Sequence, residues 1–95
     1  MPGFEFLERL EEVIRDRRER LPEGSYTAHL LRQGEDEILK KLSEEATEVV
    51  LASKEGDKGQ IVYEAADLIY HLLVLLAYHD LSLKDVLAEL RRRSK

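Results

Sequence analysis

The chain has 95 residues, no cysteine and a formal net charge of −5 at pH 7. Without cysteine it can form neither a disulfide nor a thiolate metal site. An acidic chain also lacks the basic surface that proteins use to neutralise nucleic-acid phosphates. The length predicts one domain over residues 1–95, with a core so small that a metal or a second subunit should help to stabilise it. No export signal opens the sequence, so we expect a cytoplasmic protein without nucleic-acid or membrane partners.

Apolar residues recur at the spacing of one helix face, and no stretch alternates as a half-buried strand does. A first helix is predicted over about residues 4 to 20, ended by the breaker sequence Leu21-Pro22-Glu23-Gly24. Ser25 can cap a short second helix from Tyr26 to Arg32, which Gly34 ends. The apolar stripe of the first helix is formed by Phe6, Leu7, Leu10, Val13 and Ile14.

The next two helices are predicted to form a hairpin. One runs from about Glu35 to Glu55 and ends at Gly56, and Asp57 can cap the other, over about residues 58 to 79. The run Leu68–Tyr78 is apolar on nearly every side and must be covered all round. It is shorter than the roughly 20 residues of a membrane span, so the cover should be protein. Because one short chain has too few helices to surround this run, we infer a homodimer or a larger oligomer.

A last helix is predicted to begin at Ser82-Leu83-Lys84-Asp85, which has the pattern of a capping box. Its closing basic run, Arg91-Arg92-Arg93, can complement the negative end of the helix dipole. The fold class is therefore all-α, a bundle of four to five helices. The apolar face of this last helix carries Leu83, Val86, Leu87 and Leu90.

Acidic residues three positions apart occur on both helices of the predicted hairpin. Glu45 and Glu48 lie on one, with Glu44 beside them, and Glu64 and Asp67 lie on the other. Residues at this spacing share a helix face, so an antiparallel hairpin can bring the two pairs together. On a helical projection the second pair falls on the core-facing stripe, where charged carboxylates are costly unless a cation joins them.

Oxygen ligands of this kind select magnesium, manganese or calcium. Magnesium, held by a few carboxylates together with substrate phosphates, suits a nucleotide enzyme. We therefore expect Mg²⁺, with Mn²⁺ as an alternative. Because charged residues make up 37% of the chain, the other interpretation is that these acids are merely solvated helix faces. The expected ligands are Glu45, Glu48, Glu64 and Asp67.

Neighbouring residues have candidate roles around such an ion. Glu44 or Glu48 can orient or deprotonate the attacking water. His71, four residues after Asp67, can form a hydrogen bond to that carboxylate and orient it. The other interpretation is that His71 is simply a buried histidine whose hydrogen bonds are satisfied. The candidate partners of substrate phosphates are Lys40, Lys41 and Lys54.

Two motifs carry a family resemblance. The segment Glu44-Glu45-Ala46-Thr47-Glu48, followed after fifteen residues by Glu64-Ala65-Ala66-Asp67, resembles the EExxE and ExxD signature of the all-α nucleoside triphosphate pyrophosphohydrolases, which include the MazG proteins. The segments Ser25-Tyr26-Thr27, Gly34-Glu35-Asp36 and Leu68-Ile69-Tyr70-His71 narrow the resemblance to the phosphoribosyl-ATP pyrophosphohydrolase family.

The resemblance implies a homodimeric bundle that hydrolyses phosphoribosyl-ATP to phosphoribosyl-AMP and pyrophosphate, the second step of histidine biosynthesis. It also implies magnesium held at the four acids named above. Many members are fused to a cyclohydrolase that performs the next step, and we expect that enzyme to be a separate protein here. The alternatives are a housecleaning enzyme acting on (deoxy)nucleoside triphosphates and a helical dimerisation module without activity. The base and ribose pocket is suspected only at Ser25, Tyr26 and Thr27.

Overall fold

The computed structural model describes residues 2–94, which form five α-helices and contain no strand. The predicted all-α fold is therefore confirmed. Helices α3 and α4 pack along their length as an antiparallel hairpin, the most extensive helix contact of the molecule, and α1 and α2 pack against it. The helix bounds are α1 (Pro2–Arg20), α2 (Tyr26–Gln33), α3 (Glu35–Glu55), α4 (Lys58–Tyr78) and α5 (Leu83–Arg93).

Local signals in the sequence set the helix ends. Ser25 Oγ accepts a hydrogen bond from the backbone N–H of Ala28 at 3.2 Å and caps α2. The turn between α3 and α4 needs Gly56, which lies in the left-handed region at φ 72°, where a β-carbon is disfavoured. Asp57 then caps α4 by accepting from the N–H of Gln60 at 3.1 Å. This turn makes the two long helices antiparallel neighbours.

The core lies where α1, α2 and α3 meet the second half of α4. Six apolar side chains are buried there with almost no solvent exposure, one from each of the first three helices and three from α4. Burying them removes apolar surface from water and so stabilises the fold. The six residues are Ile14, Leu30, Ile38, Leu73, Val74 and Ala77.

The buried stripe of α1 is narrower than the sequence pattern predicts. Ile14 is buried and Leu7 packs against the core, but Phe6 and Val13 are 63% and 45% exposed. Each of these two precedes a core residue by one position, a rotation of about 100° around the helix, which turns them outward. Their predicted place in the core is wrong for the single chain. Glu11 takes up part of the buried face instead and is 8% exposed.

Helix α5 is attached at its first turn. The carboxylate of Glu11 on α1 accepts a hydrogen bond from the backbone N–H of Leu83, and Arg15 Nη2 lies 3.9 Å from the same carboxylate. Asp85 completes the predicted capping box by accepting from the N–H of Ser82 at 2.9 Å. No side chain of α5 is fully buried, and Leu87 and Leu90 on its predicted apolar face remain exposed.

Helix α4 keeps apolar side chains on its outer surface. Its 21 residues are long and apolar enough to cross a membrane by length and composition, although the core helix of a water-exposed protein passes the same test. The run Leu68–Tyr78 considered in the sequence pattern is shorter than a membrane span, whereas the whole helix Lys58–Tyr78 reaches that length. Helix α4 also carries Glu64 and Asp67, and four of its side chains are buried by the rest of the chain. The exposed apolar side chains of this helix are Val62, Tyr63, Ile69, Leu72 and Tyr78.

Candidate metal centre and substrate site

Three carboxylates from the two helices of the hairpin converge. Glu45 extends from α3, and Glu64 and Asp67 extend from α4, and each offers an oxygen that lies within 4.8 Å of the other two. Their side chains are partly buried between the helices. One helical turn separates the two acids of α4, and the antiparallel packing sets the α3 acid opposite them. The hairpin therefore brings together three of the four predicted ligands, which we call the acidic cluster.

The acidic cluster concentrates negative charge. Burial raises the pKa of Glu45, the charge of Asp67 and a hydrogen bond to it raise this pKa further, and the charge of His71 opposes the increase. Among residues 2–94, the lysine and arginine ion pairs all involve other acids. From outside the cluster, the one side-chain donor within this range is the amide of Gln60, whose Nε2 lies 2.7 Å from Glu64 Oε2. Partly buried oxygens in this arrangement fit a hard divalent cation.

The two other acids of the α3 motif lie outside the acidic cluster. Glu48 follows Glu45 by three residues and is exposed. Glu44 is also exposed and lies 3.7 Å from Lys41 Nζ. Both lie within one helical turn of Glu45. The metal-ligand role of Glu48 and the water-activating roles of Glu44 and Glu48 remain predictions.

The predicted phosphate-binding lysines occupy different parts of α3. Lys41 is partly buried, and its charge acts on the phenol of Tyr26 together with the charges of Glu45 and Asp67. Lys41 also precedes Glu45 by four residues, so the two share one face of α3. Lys40 is its exposed neighbour. Lys54 is exposed in the last turn of α3, nine residues beyond Glu45, or about 13 Å along the helix axis. The structure does not bring Lys54 to the cluster.

His71 connects α4 to α2 behind the acidic cluster. It is 5% exposed, and its Nδ1 lies 2.9 Å from the backbone carbonyl oxygen of Asp67. Its Nε2 lies 2.9 Å from the hydroxyl of Tyr26. The bond expected to the Asp67 carboxylate is therefore made to the backbone of that residue. His71 therefore matches the alternative interpretation, a buried histidine whose two ring nitrogens both have hydrogen-bond partners.

Tyr26 belongs to an aromatic group that the sequence did not reveal. Its ring stacks on that of Tyr70, with centroids 6.3 Å apart and planes 26° apart, and both rings meet His71 edge-on. Thr27 Oγ1 and the hydroxyl of Tyr70 form a hydrogen bond, while Ser25 is used as the α2 cap. Of the three suspected pocket residues, Tyr26 is the one with an exposed side chain, and its hydroxyl is linked through His71 to the backbone carbonyl of Asp67.

Comparison with known proteins decides the family. The family model described as phosphoribosyl-ATP pyrophosphohydrolase matches residues 7–94. The chain belongs to the phosphoribosyl-ATP pyrophosphohydrolase family. The resemblance seen in the sequence motifs is thereby confirmed, and with it the expectation that the chain is a hydrolase of histidine biosynthesis.

Relatives of this phosphoribosyl-ATP pyrophosphohydrolase family member cover nearly the whole chain. A phosphoribosyl-ATP pyrophosphatase of Pelotomaculum thermopropionicum is 62% identical over 84 residues, which are 88% of this chain and 86% of that protein. The one of Geobacter sulfurreducens is 55% identical over 89 residues, 94% of this chain and 82% of that protein.

A third relative has a second function. The histidine biosynthesis bifunctional protein HisIE of Caldanaerobacter subterraneus subsp. tengcongensis is 54% identical over 93 residues, which are 98% of this chain and 45% of that protein. The bifunctional proteins of Pyrococcus furiosus and Bacillus subtilis match in the same way. Among relatives, the matching domain is thus found both alone and as less than half of a longer protein.

Proposed function

We propose that this chain hydrolyses phosphoribosyl-ATP to phosphoribosyl-AMP and pyrophosphate, the second step of histidine biosynthesis, in the cytoplasm. The observation that carries the proposal is the convergence of Glu45, Glu64 and Asp67 between α3 and α4. The family match over residues 7–94 and the names of the relatives support the substrate. Hydrolysis forms a bond from a water oxygen to one of the two phosphorus atoms of the α–β bridge and breaks the bond of that atom to the bridging oxygen, which leaves with the other product.

We propose Mg²⁺, or Mn²⁺ in its place, as the cofactor. Glu45, Glu64 and Asp67 would hold the ion, and Glu48 would be a fourth ligand approaching from the solvent side. The absence of a lysine or arginine paired with the cluster in residues 2–94 supports a cation as its partner. When bound, the ion neutralises phosphate charge and lowers the pKa of a coordinated water.

The remaining residues of the motif bind the substrate and move a proton. Glu44 or Glu48 accepts the proton of the attacking water, since both carboxylates are exposed beside the cluster. Lys41 donates to phosphate oxygens, and Lys40 assists from the adjacent position. Lys54 would meet the substrate only if the phosphate chain reached along α3.

We also propose that the enzyme is a homodimer. The outer surfaces of α3 and α4 expose apolar side chains that a single chain leaves in water, including Val50, Leu51, Val62 and Ile69. A second copy would cover them, and burial of such surface stabilises by about 25 cal/mol per Å². A cyclohydrolase would act on the product in the next step, and relatives exist in which a longer bifunctional chain includes this domain.

Purified protein with magnesium tests the function directly. Pyrophosphate should be released from phosphoribosyl-ATP far faster than from ATP, dATP or other nucleoside triphosphates, with kcat/KM at least 100-fold higher. Equal or reversed rates would favour the housecleaning alternative. Removal of the metal by EDTA should abolish release, and magnesium should restore it; full activity in EDTA would reject the metal proposal.

A further inference from the structure

Gln60 is a residue of α4 that contacts the acidic cluster from outside it. Its side chain is exposed, and its Nε2 lies 2.7 Å from Oε2 of Glu64, four residues further along the helix. An ionised carboxylate can only accept hydrogen bonds, so the amide nitrogen of Gln60, not its oxygen, faces Glu64. Gln60 therefore donates to a carboxylate of the candidate metal centre while carrying no charge of its own.

The local sequence would favour a different use of this side chain. Asp57 is the N-cap of α4, and Gln60 occupies the position from which a glutamine side chain commonly reaches back to the N–H of the cap residue. In α5, Asp85 forms such a reciprocal box. In α4, the backbone N–H of Gln60 donates to Asp57 Oδ1 at 3.1 Å, whereas its side chain extends forward to Glu64. The cap thus fixes the backbone of Gln60 and leaves its amide for the cluster.

Repulsion within the acidic cluster gives this amide a specific task. Glu45, Glu64 and Asp67 bring oxygens within 4.8 Å of one another, and like charges at this distance push the side chains apart. Glu64 has a long, flexible side chain that is only partly buried, so it can turn away into solvent. The hydrogen bond from Gln60 opposes that rotation. A ligand that is already held in its bound conformation loses less entropy when the ion arrives.

An uncharged donor suits this task better than a cationic one. A lysine or arginine at position 60 could hold Glu64 as firmly, but its positive charge would repel the cation that the cluster is proposed to bind. The amide orients the carboxylate and leaves the negative charge of the cluster available. In metalloproteins generally, hydrogen bonds to ligating carboxylates raise the affinity for the metal.

We propose that Gln60 is a positioning residue that holds the Glu64 carboxylate in the orientation in which it binds a divalent cation. This inference rests on the proposed function, because it takes the acidic cluster to be the metal site. Gln60 touches neither the ion nor the substrate and acts through Glu64. Its loss should therefore weaken metal binding without removing a ligand.

Manganese binding in the absence of substrate measures this effect without turnover. Gln60→Met replaces the amide by an apolar side chain of similar length. The dissociation constant for Mn²⁺, measured by calorimetry on the metal-free protein, should rise about three- to tenfold, the effect of one lost hydrogen bond. Gln60→Asn keeps an amide but is too short to reach Glu64, so it should bind Mn²⁺ as weakly as Gln60→Met does. Wild-type affinity in either variant would overturn the proposal.

Gln33→Met is the matched control, because Gln33 is the other glutamine of the chain and is exposed at the end of α2. Glu35, two residues beyond it, lies ten residues before Glu45 on α3, about 15 Å along the helix axis. Gln33→Met should bind Mn²⁺ as the wild type does. If Gln60 only stabilised α4, Gln60→Met would lower the melting temperature in EDTA and leave the affinity for Mn²⁺ unchanged, which would reject the positioning role.

The amide of Gln60 can also be observed directly. The chain has no asparagine, so its NMR spectrum contains two side-chain amide groups, which Gln33→Met and Gln60→Met assign. In the metal-free protein, the Gln60 proton bonded to Glu64 should resonate downfield of the corresponding Gln33 proton. Glu64→Ala should move it to the position of the Gln33 signal, and Asp67→Ala should move it less. A Gln60 signal that does not respond to Glu64→Ala would show that the bond is not formed in solution and would overturn the proposal.

Metal binding and pyrophosphate release together separate this proposal from the proposed function. The magnesium concentration that gives half-maximal release from phosphoribosyl-ATP should rise in Gln60→Met by the same factor as the dissociation constant for Mn²⁺. A wild type that binds Mn²⁺ more tightly than Gln60→Met but releases no pyrophosphate would refute the proposed function alone. A wild type that releases pyrophosphate with magnesium but binds Mn²⁺ no more tightly than Gln60→Met would refute the role of Gln60 alone.

Discussion

Glu45 on α3 and Asp67 on α4 bring carboxylate oxygens within 4.8 Å of each other across the hairpin, and no lysine or arginine of residues 2–94 pairs with either. Two like charges at this distance raise the free energy of the folded chain unless a proton or a cation lies between them. The stability of the fold and the chemistry of the site therefore depend on the same pair.

Neutralising one acid of the cluster should separate activity from folding. Asp67→Asn and Glu64→Gln should each lower kcat/KM for phosphoribosyl-ATP by at least 100-fold, because a ligand to the ion is lost. Thermal unfolding in EDTA should show no loss of stability, since repulsion is relieved. Glu55→Gln, at the exposed end of the same hairpin, is the control and should keep full activity. Full activity in Asp67→Asn would reject this residue as a ligand.

The raised pKa of Glu45 predicts how the stability of the metal-free protein depends on pH. Its folded pKa lies above the ordinary value near 4.5, so the folded state binds the proton more tightly than the unfolded state does. This contribution is fully present below the ordinary value and is lost as pH rises through the raised folded value.

Glu45→Gln removes that dependence. In EDTA, the melting temperature of Glu45→Gln should exceed that of the wild type by an amount that increases as the pH rises from about 4 to about 7. Below pH about 4 the two proteins should converge. A difference that stays constant over this range would show that the carboxyl does not titrate abnormally. Magnesium, added near the raised pKa, should release a proton from the wild type and not from the variant.

The lysines of α3 should differ in their effects on substrate binding. Lys41→Met should raise KM for phosphoribosyl-ATP about tenfold, because this residue shares a face of α3 with Glu45 and a charge-assisted bond to phosphate is worth about 1.5–3 kcal/mol. Lys54→Met should have the smallest effect of the three α3 lysines, and Lys40→Met should be intermediate. Lys84→Met on α5 is the control for net charge. A larger effect for Lys54 than for Lys41 would place the phosphate chain elsewhere along α3.

Arg18 should contribute to stability without contributing to activity. Its Nη1 donates to the carbonyl oxygen of Ala77 at 2.9 Å and lies 3.1 Å from Asp80 Oδ1, so it ties α1 to the end of α4. Arg18→Met should lower the free energy of unfolding by about 1–2 kcal/mol, measured by urea denaturation. Arg9→Met, at an exposed position of α1, should change it little. Equal effects of Arg18→Met and Arg9→Met would mean that Arg18 does not form these bonds to Ala77 and Asp80 in solution.

The outer face of α4 should determine the oligomeric state. Ile69→Lys places a charge in the apolar surface proposed to contact a second copy, so the variant should sediment as a monomer, whereas the wild type should sediment as a dimer. Leu87→Lys, on the exposed face of α5, is the control. A wild type that sediments as a monomer, or a dimer that tolerates Ile69→Lys, would contradict the proposed interface.

Local signals explain why the helix ends could be predicted. The glycine at position 56, the cap at Asp57 and the capping box at Ser82 act through bonds within a few residues, so they are visible in the sequence. The rotation of α1 is not local. In the sequence pattern, Phe6 and Val13 fit the apolar stripe of α1 as well as Ile14 does. Only the packing of α1 against α2 and α4 determines that Ile14 faces the core.

In the candidate site, too, some features follow from local sequence and others depend on tertiary contacts. Spacing placed Glu64 and Asp67 on one face, and the short turn made convergence with Glu45 foreseeable. The pairing of Tyr26 with His71 joins residues 45 positions apart through the packing of α2 on α4, and no periodicity reports such a contact. The sequence motifs suggested Tyr26 as a pocket residue, but its hydrogen bond to His71 is visible only in the three-dimensional structure.

Glu11 and Leu83 are 72 positions apart, yet a buried carboxylate in the middle of α1 satisfies the first turn of α5. The two outermost helices of the chain are thus fastened to each other and not only to the hairpin between them. Fraying that starts at one end should propagate to the other, so hydrogen exchange of the α1 and α5 amides should accelerate together when Glu11 is replaced by alanine. A domain joined to either end of such a chain would therefore affect the stability of both α1 and α5.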